Sequence, residues 1–340
     1  MSLKWKALCS KTLICFLLFI TINFSLANTT KATIMTSSNK PYSSCALTIK
    51  DQALVIDEDN KTLYVVKLDG LYKYHDGECI KLYDGKPTYV ALSPDGKTLA
   101  FTDKGSIFFY DISSGEIKKI LSSDNKTTFY EEPSWVSNNG AILFTEVTIS
   151  DKPNEDNSLK SSTVYIFNPH TMSKMKVSKG SSPSYVKGKN AVVFQRDSKI
   201  IFRFLKNGSE EVIDEGNSPK VSPNGKYIVY SNVESLIREA KPRVQIEENL
   251  QNLWIAKGKN FSKKEKITSN VLLKNIDEDT WLKNLEPSKS LQILSYSGKY
   301  CYFQPVWSSN SKSIYSILRI YPDPNTTERI ESKLIKIPVT

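Results

Sequence analysis

The sequence predicts an all-β protein, a β-propeller of four-stranded blades with six blades, and three observations carry that expectation. A strand–turn–strand unit centred on Ser-Pro-Asp-Gly-Lys recurs along the chain. All but the last of its copies are spaced to fit four-stranded propeller blades of about 40–50 residues. The segments flanking each turn are rich in β-branched and aromatic residues, which suit a pleated, half-buried surface.

The first element is not part of that fold. Lys4, Lys6 and Lys11 precede an uncharged apolar run from Thr12 to Phe24, and Ser25-Leu26-Ala27 places small residues at a cleavage position. This three-part pattern is that of a secretory signal peptide, residues 1–27. The run is short for a membrane span, which needs about 20 residues, and an uncleaved N-terminal anchor is the alternative reading. No cysteine follows Ala27, which argues against a lipid anchor. The mature protein is expected to begin at Asn28, with no further spanning run, in a secreted or extracytoplasmic location.

Residues 28–44 read as a short leader, and 45–340 as a single propeller domain. The clearest unit is Tyr89–Phe101, in which Pro94 fixes φ at the turn corner and Asp95-Gly96 supplies the tip. Val221–Tyr230 is nearly a copy, around Ser222-Pro223-Asn224-Gly225-Lys226. Weaker copies start at Ile56, Trp135, Tyr185 and Val306. Their second strands end at Val65, Phe101, Phe144, Phe194, Tyr230 and Ser316, separated by 36, 43, 50, 36 and 86 residues. The last gap is either an enlarged connection or a seventh, degenerate blade around Val271 to Ser295. Leu282–Pro287 lacks the turn motif, so a helical or irregular insertion is expected there. The last blade supplies three strands, and Cys45–Lys50 has the length to be its fourth, closing the ring and covering an open edge.

These units resemble the TolB-like propeller repeat, an apolar strand, Ser-Pro-Asp-Gly-Lys, then a second apolar strand. The resemblance covers about Ala46 to Val339 and is strongest at Ser93–Lys97 and Ser222–Lys226. It implies architecture rather than activity. The separate N-terminal domain of TolB has no counterpart in the 17 residues from Asn28 to Ser44, so TolB's envelope role is not carried over.

Composition and motifs exclude more than they assign. The 340 residues carry a net charge of +10 with 39% hydrophobic residues. Removing residues 1–27 leaves 43 basic against 36 acidic side chains, a mild basicity short of a nucleic-acid footprint. Cys45, Cys79 and Cys301 remain, an odd number that allows one bridge and assigns none. The chain lacks a nucleophile elbow, a phosphate loop and a dinucleotide fingerprint. His75 and His170 fall in turns and are too few for a three-histidine zinc site. Asp57–Asn60 and Asp277–Asp279 could offer oxygen ligands to a structural Ca²⁺, but neither has the spacing of a calcium loop. No catalytic, cofactor or metal residue is therefore expected. Trp135 and Trp307, with Tyr185 and approximately Tyr89, precede their turns at matching positions, where blade-to-blade packing or an aromatic ligand lining would use them.

Strand order locates the candidate ligand face. Numbering strands outward as a to d, the b–c and d–a connections emerge on one side of the disc. The insertions 146–162 and 231–251 are b–c connections and 271–300 is a d–a connection, so all three project from one face. Lys118, Lys119, Lys174, Lys176, Lys263, Lys264 and Lys266 fall on predicted outer strands or their turns, a basic perimeter that blunts strand edges or attracts anionic polymer. The expectation is a monomeric, non-catalytic binding or scaffold propeller for a protein or anionic envelope polymer. The alternative is a peptidase- or glycan-acting enzyme, which should show perturbed carboxylates near the channel mouth, where a binder should show an apolar patch.

Overall fold

The computed structural model describes residues 33–34, 53–57, 61–124, 126–136, 140–150, 160–271, 282–283, 285, 291–321 and 330–339. Residues 1–27, Cys45–Lys50 and Asp277–Asp279 lie outside them. Among the described residues no helix is long and apolar enough to cross a membrane.

Among the described residues twenty-five strands build six blades, antiparallel except where β22 joins blade 5, and in chain order except for β1. The first, β1, is the pair Thr33–Ile34. Blade 1 is β2–β5 (Ala53–Asp57, Thr62–Lys67, Gly70–His75, Glu78–Asp84) and blade 2 is β6–β9 (Pro87–Leu92, Thr98–Asp103, Ser106–Asp111, Ile117–Leu121). Blade 3 is β10–β13 (Thr128–Trp135, Ile142–Ile149, Lys160–Asn168, Ser173–Lys179), and blade 4 is β14–β17 (Ser181–Val186, Ala191–Arg196, Lys199–Phe204, Glu210–Glu215). Blade 5 is β18–β21 (Asn217–Val221, Ile228–Lys241, Val244–Lys257, Lys263–Lys266), joined by β22 (Gln292–Ser297). Blade 6 is β23–β25 (Tyr300–Trp307, Ser313–Ile320, Glu331–Pro338), and β1 pairs with the outer edge of β25, Thr33 opposite Lys336.

The core is divided among the blade interfaces. Each of the six apolar clusters joins two neighbouring blades, including one in which Leu54, Leu63 and Val65 of blade 1 meet Tyr315, Ile317 and Leu334 of blade 6. The residues aligned across the repeat, Val65, Phe101, Phe144, Phe194, Tyr230 and Ser316, are all buried. A single blade cannot hide both faces of its sheet, so burial requires a neighbour on each side.

The turn motif has a hydrogen-bonding reason. The buried Ser93 hydroxyl accepts from the Thr98 N–H at 2.9 Å and donates to Asp95 at 2.6 Å, while Asp95 accepts from the Lys97 N–H at 3.1 Å. Ser222 with Asn224, and Ser308 with Asn310, repeat the arrangement, the serine accepting from Tyr227 and Ser313 N–H groups at 3.0 and 2.9 Å. Serine followed two residues later by Asp or Asn therefore satisfies turn donors that burial takes from water.

Six blades are present, and the 86-residue gap is filled differently from the sequence expectation. The insertion 231–251 is a hairpin, because β19 and β20, 14 residues each, run on beyond the blade. Both faces of that hairpin mix apolar and polar residues, so it lacks the clean alternation that marks a strand. Part of 271–300 is also strand: β22 pairs parallel with β20, Val244 opposite Gln292 through Asn249 opposite Ser297. Residues 282–283 are helical. Insertion 146–162 likewise begins and ends as hairpin, Glu146 opposite Thr163 and Ile149 opposite Lys160.

Candidate functional site

The first strands of the blades, β2, β6, β10, β14, β18 and β23, lie side by side around a central axis. In five of them a bulge interrupts the pairing with the second strand, at Pro87/Val90, Glu131/Ser134, Ser181/Ser184, Asn217/Lys220 and Phe303/Val306. The last four of these bulges each hold a residue at positive φ, namely Glu132 (55°), Ser182 (54°), Ser218 (52°) and Gln304 (51°). Each is followed by proline: Pro133, Pro183, Pro219 and Pro305. Proline cannot donate to a ladder and bulges tolerate it, so four prolines at one repeat position are a legible signal of this device, one that the sequence reading passed over.

The bulges aim polar groups at the neighbouring blade. The Glu132 carboxylate accepts from the Ser182 N–H at 2.5 Å and hydroxyl at 2.6 Å, and from the Thr145 hydroxyl at 2.8 Å. Gln195 accepts from the Ser218 N–H at 3.0 Å and donates to Asn217 at 2.8 Å. Glu131, beside Glu132, has its carboxyl raised above the ordinary range by burial, against the pull of Lys160 and with help from Glu132. Tyr89 is pushed up by burial and by the two glutamates, and burial pushes the Lys220 ammonium down against the field of Glu132. These residues were not singled out from the sequence, except Tyr89. It precedes Ser93 by four residues, as Ser218 precedes Ser222, and so occupies the bulge position rather than the tryptophan position.

The tryptophans serve packing. The indole N–H of Trp135 donates to the Ala91 carbonyl of blade 2 at 3.2 Å, and that of Trp307 to the Lys220 carbonyl of blade 5 at 2.8 Å. Each ring also meets an aromatic of the preceding blade, Phe109 at 4.8 Å and Tyr227 at 5.8 Å. Tyr185 packs into the interface of blades 3 and 4. His75 accepts or donates at Nδ1 with Thr62 at 3.1 Å and lies 3.3 Å from Asp76, while His170 sits exposed in a turn whose N–H bonds Asn168. Cys79 is exposed and Cys301 buried.

The insertions build a second feature on the side where strand order puts the b–c and d–a connections. Beyond the blade, β19, β20 and β22 form a three-stranded arm. One face presents Val233, Ile237 and Ile293, which are 41%, 60% and 55% exposed. Between them Ser235 donates to Asn249 at 2.6 Å, and Asn249 donates to Ser295 at 2.8 Å. On the other face Val244 and Ile246 are buried. Asn270 fixes the base: its amide donates to the Gln251 and Tyr300 carbonyls at 3.0 and 2.6 Å, and its oxygen accepts from the Tyr300 N–H at 3.0 Å.

The basic perimeter also falls where expected. Lys118 and Lys119 lie on β9, Lys174 and Lys176 on β13, and Lys263, Lys264 and Lys266 on β21, all outer strands. Lys174 pairs with Glu146 and lies 4.2 Å from the centre of the Tyr165 ring, and Lys266 pairs with Glu234 at 2.7 Å.

No family model and no curated protein sequence matches the chain. Among solved structures it is similar to a putative TolB from Agrobacterium tumefaciens, with 13% identity over 76% of this chain and 80% of that one and a TM-score of 0.45. It is also similar to an oligogalacturonate lyase from Vibrio parahaemolyticus (10%, 86% and 89%, TM-score 0.49). A gluconolactonase from Xanthomonas campestris matches at 12% identity over 85% and 86%, with a TM-score of 0.50. At these identities the likeness is one of fold alone. In fold, the chain is a six-bladed β-propeller.

Proposed function

We propose that the chain is an extracytoplasmic, non-catalytic binding propeller that docks a partner protein on its insertion-bearing face. The observation that carries this reading is the arm of blade 5, where Val233, Ile237 and Ile293 stand exposed on one face of a three-stranded sheet. Scattered surface apolar residues are ordinary, but a group rimmed by polar side chains marks an interaction surface. Glu239 and Glu247 lie on the same face by register, so an apolar partner surface with basic neighbours complements it. A location outside the cytoplasm is supported by the charged, apolar and small-residue pattern of residues 1–27.

An enzymatic reading has one supporting observation, the raised carboxyl of Glu131. A catalytic carboxylate pair needs a second free carboxylate, and the neighbouring Glu132 is already committed to three hydrogen bonds. The binding reading is therefore preferred.

The test is a photo-crosslinking residue at Ile237 in protein incubated with the native secretome, with Lys97 in the opposite-face turn as control site. A discrete adduct is expected from position 237 and none from 97. The adduct should vanish with Val233→Asp/Ile293→Asp, while the circular dichroism spectrum is unchanged. Equal crosslinking from both sites, or an adduct indifferent to the double substitution, overturns the reading.

A further inference from the structure

Three turns on the face opposite the arm converge between blades 4 and 5. They are the β14–β15 turn (Lys187-Gly188-Lys189-Asn190), the β18–β19 turn (Ser222–Tyr227) and the β20–β21 connection (Gly258–Ser262). Gly225 lets the first two meet: at φ 72° it faces the Lys187 carbonyl so closely that an added Cβ would lie 2.5 Å from the oxygen. Between these turns opens a cavity of about 480 Å³, lined by Lys189, Lys226, Lys257 and Lys263 around Tyr227 and Phe261.

The charge of this cavity is unbalanced. Lys257 pairs with Glu265 at 2.8 Å, whereas Lys189, Lys226 and Lys263 make no ion pair among the described residues. Lys257 and Lys263 are direct cross-strand partners, a like-charge pairing that destabilises a sheet. The exposed Lys189 lies over two aromatic rings, its ammonium 4.7 Å from the centre of the Phe261 ring and 5.6 Å from that of Phe202. Lys187, Lys259 and Lys264 lie within two residues of lining residues in sequence, and the three turns contain no acidic residue. Edge protection accounts for lysines along a flat outer strand, but not for four ammonium groups gathered on one concavity.

We propose that this cavity is a binding site for a polyanionic chain carrying phosphate or sulfate groups. Its volume lies in the range of ligand pockets and exceeds what one oxyanion fills. Lysine is a compact point charge with rotatable donors, suited to tetrahedral oxyanions, whereas planar carboxylates favour the arginine fork. The cavity has lysines and no arginine. A bound oxyanion relieves the Lys257–Lys263 repulsion, and Tyr227 offers an apolar surface for the backbone of the chain. The site is on the other side of the disc from the arm, so it stands or falls independently of the protein-docking reading.

Calorimetric titration with tripolyphosphate and with a heparin-derived oligosaccharide provides the test, one arm for phosphate and one for sulfate. Saturable binding of at least one probe is expected, weakening as salt rises. Lys189→Gln/Lys226→Gln/Lys263→Gln should lose at least about tenfold in affinity, because three nearby charges are removed. Lys118→Gln/Lys176→Gln/Lys179→Gln, with the same change in net charge on outer strands, should bind as the unaltered protein does. Equal losses in the two triple variants would mean non-specific attraction and overturn the site, as would failure of both probes to bind. Val233→Asp/Ile237→Asp/Ile293→Asp should leave this binding intact, which separates it from the fate of the arm.

Discussion

Glu131 and Glu132 show how one residue of register divides the work of two identical side chains. Glu132 sits at the positive-φ corner of its bulge and hands its carboxylate to Ser182 and Thr145, stitching blade 3 to blade 4. Glu131, one residue earlier, meets burial without equivalent compensation, and its carboxyl is raised from 4.5. A carboxyl that holds its proton more tightly folded than unfolded withdraws stability as pH climbs from its ordinary value through its folded value. Glu131→Gln removes the ionisable group while keeping size and donor capacity. The variant should therefore melt higher than the unaltered protein at pH 7, and the difference should shrink as pH falls below the ordinary carboxylate range. Melting curves across that range check it; a constant offset at every pH, or a variant less stable at pH 7, counts against the assignment. The sequence does show two adjacent glutamates before a proline. What it hides is which of them turns across the blade boundary, since that depends on the bulge.

At the scale of elements, the legible parts are those whose information is local. The Ser-x-[Asp/Asn] turns carry their own hydrogen bonds, so Ser93, Ser222 and Ser308 mark hairpins wherever the chain folds. The arm of blade 5 carries no such mark. Val233 and Ile237 alternate with Glu234 and Arg238, but Leu236 and Leu250 put apolar residues on the other face, and the segment reads as loop. β22 is further from reach, because its parallel partner β20 is more than 40 residues away in sequence. Asn270 ties Gln251 of β20 to Tyr300, the first residue of β23 just after β22, through three backbone hydrogen bonds, and Gly298 leaves room for it, since a Cβ there would lie 2.6 Å from the Asn270 side-chain oxygen. Asn270→Ala should strand two carbonyls and one N–H at the arm's base, a loss of about 1–3 kcal/mol in local stability. Hydrogen exchange should then accelerate at Gln292–Ser297 while blades 1 to 3 keep their protection. Unchanged protection in β22 would show that the arm is secured elsewhere.

For the whole molecule, six interface cores of similar make explain why the blade count was readable: each repeat must bury both faces, and so each repeats the same apolar positions. What joins the chain's ends is not a repeated feature, and so it is the least legible part. Blade 6 contributes β23, β24 and β25 from the C-terminal stretch, leaving β25 to be covered by other chain. The sequence expectation assigned that place to Cys45–Lys50, which lies outside the described residues. Among the described residues Thr33–Ile34 pairs with β25, Thr33 with Lys336 and Ile34 with Ile335. Without a strand paired to it, β25 would offer Leu334, Ile335 and Ile337 along an open edge, a template for pairing between molecules. Deleting residues 28–50 should therefore lower the melting temperature, by about 2–4 °C for each kcal/mol lost in a domain of this order of size. It should also produce concentration-dependent association. Ile335→Lys in the deleted background should reduce that association by placing a charge on the exposed strand, though at a further cost in stability, because Ile335 is buried in the interface of blades 5 and 6. A deleted protein that stays monomeric and melts where the full chain does would show that the N-terminal segment takes no part in closing the propeller.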